Sequence, residues 1–100
     1  MEIHVQEHGE HIVLVTIDHQ PRRNAMTRQM MADLAAVWDR LERSHCRCII
    51  LTGAGERAFC AGADVSGDLS ADPEMATIVK HAFLKHHPFS KPIIAAVNGD

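Results

Sequence analysis

The chain has 100 residues, 46% of them hydrophobic and 23% charged, with a formal net charge of −3. That length fits one small domain burying roughly two-thirds of the surface its unfolded chain exposes, and the composition excludes general disorder. The balance of charge excludes the strong basic field of a nucleic-acid or membrane-surface binder, so neither partner is expected.

The opening stretch MEIHVQEHGE lacks the apolar segment of a signal peptide, and no run reaches the roughly 18 apolar residues of a membrane span. Cys46 and Cys48 sit inside an apolar run, which suits reduced thiols better than a disulfide framework. A cytoplasmic protein is the default expectation.

In chain order, Met1 to Glu7 and His11 to Asp18 read as two strands about a turn at His8 and Gly9. The second strand carries Ile12, Leu14 and Thr16 on one face and Val13, Val15 and Ile17 on the other, which predicts cover on both sides. Pro21 and two arginines in QPRR break the pattern. Thr27 then caps a helix whose stripe is Met30, Leu34, Val37, Trp38 and Leu41. CIIL, Cys48 to Leu51, has the all-apolar composition of a buried parallel strand, ended by Gly53 and Gly55. Asp72 and Pro73 read as an N-cap and first helical residue of a second helix running to about His86. IIAAV, Ile93 to Val97, completes the pattern as another buried strand. The succession predicts an α/β fold with right-handed crossovers, whose chemistry lies beyond the carboxyl ends of its strands.

Three features compete as the chemical centre. GAGERA, Gly53 to Ala58, matches the G-x-G-x-x-A dinucleotide fingerprint after a strand. The mechanism needs a helix to open in that loop, and the following Phe59, Cys60, Ala61 and Gly62 carry no helical stripe. Among the histidines, His4, His8 and His11 do not share one strand face, and no carboxylate or cysteine pattern completes a zinc site. No metal is expected, and His86 and His87 fit a helix C-terminus. No histidine is placed to activate Cys60, which reads as a small packed residue.

The third feature is AFCAGADV, Ala58 to Val65, whose row of small side chains lets a ligand approach the backbone. With NAM at Asn24 to Met26 and KPIIAAVNG at Lys91 to Gly99, it resembles the N-terminal half of the crotonase superfamily, the enoyl-CoA hydratases and isomerases. The resemblance spans nearly the whole chain. It implies the ClpP/crotonase fold, here the N-terminal half of its ββα-repeat core, with residues 1–100 as the first part of a single domain that ends before the second oxyanion-hole segment.

The same resemblance implies that the backbone N–H of Ala63 stabilises an enolate oxygen, a contribution of about 3 to 4 kcal/mol for one such donor. Ala25, Ala61, Ala63, Asp64 and Val65 would line the path of coenzyme A, and Arg22 and Arg23 would meet its phosphates or remain solvated charges. Coenzyme A enters as part of an acyl-CoA substrate, with no prosthetic group, and the family assembles as homo-trimers or hexamers. Ser66 stands where relatives often carry a phosphate-binding lysine. In the family the second oxyanion amide and the catalytic glutamates follow the N-G pair, so the 100 residues alone are expected to be inactive. The alternatives are a noncatalytic crotonase-like scaffold and the dinucleotide-binding reading of Gly53 to Ala58.

Overall fold

The structure, a computed structural model, describes residues 1–62, 73–85 and 87–99. Two strands open the chain, β1 (Glu2–Glu7) and β2 (Ile12–Asp18), followed by a short 3-10 turn at Gln20–Arg22. Helix α1 (Arg28–Glu42), strand β3 (Cys48–Gly53), helix α2 (Pro73–Ala82) and strand β4 (Ile93–Ala96) complete the order. The strands form one mixed sheet in the order β1-β2-β3-β4. β1 pairs antiparallel with β2, while β2 with β3 and β3 with β4 pair in parallel. A helix lies between the members of each parallel pair in the chain, as a parallel connection requires.

The core forms where α1 meets one face of this sheet. Val13, Val15 and Ile17 of β2 and Ile49 of β3 bury against Met30, Met31, Leu34, Trp38 and Leu41 of α1, with Met75 and Ala82 joining from α2. The expected α1 stripe is present, widened by Met31 and Ala35, and Val37 is half-buried. Thr27 caps the helix as expected, its Oγ1 accepting from the Met30 N–H at 3.1 Å. At the other end the Lys91 ammonium donates to the carbonyl oxygens of Leu41 and Ser44 at 2.5 and 2.8 Å, placing a cation on the negative end of the helix dipole.

Two expectations change. Both faces of the strands were expected to be covered, yet Ile12 is 36% exposed and Ile94 56%. The side chains that alternate with the core residues face outward, because both helices pack on the core face. The second helix ends at Ala82 rather than near His86. Leu84 takes a left-handed φ of 56°, and the bonds Leu84 N–H to His81 O and Lys85 N–H to Lys80 O close the helix. His87 thus lies beyond the helix; His86 and the expected cap Asp72 fall outside the described residues.

Candidate active site

The parallel strands deliver three loops to the same end of the sheet, and two asparagines bind them together. Asn24 is 1% exposed and sits at φ 60°, a left-handed conformation that asparagine tolerates better than most residues. Its Oδ1 accepts from the His19 N–H at 2.8 Å, and its Nδ2 donates to Ala54 O at 3.0 Å and Ala58 O at 2.8 Å. Asn98, just past β4, approaches the same carbonyl from the other side. Its Nδ2 donates to Gly55 O at 2.9 Å and Ala58 O at 3.1 Å, while its Oδ1 accepts from the Gly53 N–H at 3.1 Å. Ala58 O, at the start of AFCAGADV, is therefore held by both of the flanking motifs.

The approach is close enough to dictate glycine at two positions. A Cβ on Gly53 would overlap the carbonyl oxygens of Ala58 and Phe59, and one on Gly99 would overlap the backbone of Arg57 and Ala58. A second seam runs along the small residues. The Ala61 N–H donates to Arg23 O at 3.2 Å, and the Met26 N–H donates to Gly62 O at 2.7 Å. Buried His19 supports this seam from below: its Nδ1 donates to Ala25 O at 2.7 Å, which fixes the ring tautomer because a carbonyl only accepts.

Of the expected site residues, the structure brings Arg23, Ala25 and Ala61 together, with Arg22 exposed on the adjoining turn. Both main-chain groups of buried Ala25 are engaged within the chain, its N–H with Arg22 O and its carbonyl with His19. Ala63, Asp64 and Val65, together with Ser66, lie outside the described residues.

Two hollows flank the seam. An apolar one of about 230 Å³ is lined by Ile17, Leu34, Trp38, Cys60, Ala82 and Leu84, among others. An apolar cavity of about 150 Å³ already accepts benzene, so this space suits a short hydrocarbon chain. The other, about 500 Å³, is lined by Gln20, Pro21, Arg23 and Arg57. Arg57 was not singled out from the sequence. It sits inside GAGERA, where the dinucleotide pattern drew attention to the glycines; only the fold shows that this loop lies opposite Arg23.

No helix opens between Gly53 and Gly62, so GAGERA has no helix N-terminus to offer a pyrophosphate. Near the far edge, Asp18 accepts from His4 Nε2 at 2.8 Å, and that hydrogen bond holds its carboxyl below the usual range against a smaller opposing effect of burial. Among the described residues no helix is long and apolar enough to cross a membrane.

A mixed sheet with helices between its parallel strands, and loops stitched together at the strand ends, defines an α/β protein. The family model for enoyl-CoA hydratase/isomerase matches residues 7–100, and the chain belongs to that family. An enoyl-CoA hydratase of Mycobacterium tuberculosis is 38% identical over 101 residues, covering 93% of this chain and 38% of the relative. The (E)-benzylidenesuccinyl-CoA hydratase of Thauera aromatica is 35% identical over 97 residues, covering 93% of this chain and 38% of the relative. The crystal structure of an enoyl-CoA hydratase from Bacillus anthracis superposes with a TM-score of 0.83 at 27% identity, covering 97% of this chain and 40% of that one. The fold is thus the crotonase fold, seen in its N-terminal half, and the chain spans well under half the length of these relatives.

Proposed function

We propose that this chain supplies the acyl-CoA-binding and enolate-stabilising part of an enoyl-CoA hydratase or isomerase. The observation that carries the reading is the convergence of Asn24 and Asn98 on Ala58 O, which holds the start of the small-residue loop at the strand ends beside an apolar hollow. Three residues past the Ala58–Cys60 stretch, the N–H of Ala63 donates to the thioester oxygen as water adds to the double bond and negative charge moves onto that oxygen. A fixed main-chain donor stabilises that charge without reorganising.

The acyl chain occupies the hollow lined by Ile17, Trp38 and Cys60, and the phosphates of coenzyme A lie toward Arg22, Arg23 and Arg57. Ala25, Ala61, Asp64 and Val65 are the further residues assigned to coenzyme A binding. The second oxyanion donor and the acid and base come from sequence outside the 100 residues. No prosthetic group enters the scheme, and the assembled protein is a homo-trimer or hexamer.

Isothermal titration of the full-length protein with acetoacetyl-CoA tests the binding half of this reading. Binding should weaken as salt rises, because the arginine contacts are screened, and Arg57→Ala should remove part of that salt dependence. Binding of NADH with no response to acyl-CoA would overturn the reading in favour of the dinucleotide alternative.

A further inference from the structure

Three side chains from three segments point at one place. Asp39 comes from α1, His81 from the last turn of α2, and His87 from the segment that follows it. The Nε2 of His81 lies 2.9 Å from Asp39 Oδ1, and the Nε2 of His87 lies 3.5 Å from the same oxygen. The two imidazoles stack with centroids 3.9 Å apart and planes 30° from parallel, and each of the three residues offers one ligand atom within 4.8 Å of the others.

From this geometry we infer that Asp39, His81 and His87 form a binding site for one divalent transition-metal ion of the zinc type. Zinc–nitrogen and zinc–oxygen bonds of about 2.0 to 2.2 Å in a tetrahedral shell place ligand atoms about 3.3 Å apart; the two carboxylate–nitrogen separations of 2.9 and 3.5 Å bracket that distance, the two ring nitrogens lie within 4.8 Å of each other, and the stacked rings splay apart to take the ion. Asp39 Oδ1 can accept from both Nε2–H groups, and one ion in place of those protons would take the same three atoms as ligands. One ion bonded to all three atoms satisfies them together. Imidazole with a single carboxylate suits zinc, copper or nickel rather than magnesium or calcium. The side chains of Asp39, His81 and His87 are 43%, 25% and 38% exposed, which leaves room for water in a fourth position.

The surrounding core holds the three ligands in place. Trp38, beside Asp39 in the chain, donates its indole N–H to Ala82 O at 2.8 Å, and Ala82 adjoins His81. The same indole meets the ring of Phe89, two residues after His87, edge-on at 5.4 Å. Each ligand residue is thus next to, or two residues from, one corner of a packed Trp38–Ala82–Phe89 contact, which holds the backbone that carries the ligands. Binding would clip α1 to α2 behind the apolar hollow that Trp38 and Ala82 help to line. The inference does not depend on the acyl-CoA reading.

The test is calorimetric titration of zinc into tag-free full-length protein stripped with chelator, repeated on His87→Gln, Asp39→Asn and the control His8→Gln. One ion per chain should bind to the wild type and to the control, with affinity at least about tenfold weaker in the other two variants. Cobalt should give the visible ligand-field absorption of a tetrahedral site and quench the fluorescence of Trp38, both lost in His87→Gln. That variant replaces a half-exposed side chain outside the helices, so its thermal unfolding should remain cooperative. Zinc binding unchanged in His87→Gln and Asp39→Asn, or absent from the wild type, would overturn the inference.

Discussion

Asn24 illustrates how much a single side chain can organise. Its carboxamide uses both ends, accepting from His19 and donating to Ala54 and Ala58; the bonds to His19 and Ala58 are buried and that to Ala54 partly so. Asn24→Asp keeps the acceptor but replaces the donor with a carboxylate facing two carbonyl oxygens. Leaving a buried polar group unpaired costs about 1–3 kcal/mol, and urea unfolding of the variant should show a loss of that order at neutral pH. The carboxyl so placed favours its protonated form, which can donate again; its folded-state pKa is then raised, and the deficit should shrink as pH falls through it. A variant as stable as the wild type at neutral pH would remove Asn24 from its clamping role. The sequence identifies NAM and AFCAGADV as parts of one site, but the reason they belong together is hidden. The bonded carbonyls lie 30 and 34 residues away, and nothing local to Asn24 announces them. Arg57 escapes notice for the same reason, since folding brings it opposite Arg23; the partners of His19 lie only five and six residues on, but an irregular turn rather than a periodic pattern joins them.

Elements are more legible than sites, because their signals are periodic and local. The apolar stripe and Thr27 cap of α1 follow directly from side-chain spacing and capping chemistry. The end of α2 does not. A left-handed closing residue is usually glycine, whereas here it is Leu84, so no glycine marks the stop and the helical pattern reads on toward Pro88. What secures that end is Trp38, whose indole N–H satisfies a carbonyl of the final turn. Trp38→Phe preserves an aromatic ring against Phe89 but removes the donor. Ala82 O is then left without it, and the protein should lose about 1–3 kcal/mol by denaturant titration. An unchanged midpoint would show that water replaces the indole at no cost.

At the scale of the whole molecule, the sheet has, among the described residues, one face under its helices and one face open. Composition alone could not distinguish these, because Ile12, Leu14 and Ile94 read as core residues beside Val13, Val15 and Ile93. Only the placement of both helices on the same side separates the sets. Contiguous exposed apolar surface on a sheet seeks cover. The 100-residue chain produced by itself should therefore self-associate on size-exclusion chromatography, and a compact monomer with a sharp thermal transition would refute that. In the full-length protein the same sheet carries the loop on which the proposed chemistry depends. The most direct measurement is crotonyl-CoA hydration by full-length Ala63→Pro, which lacks the N–H that the scheme assigns to this loop. Loss of turnover by about a hundredfold or more, with the fold intact by circular dichroism, is the predicted result; near-normal turnover in the folded variant would contradict it.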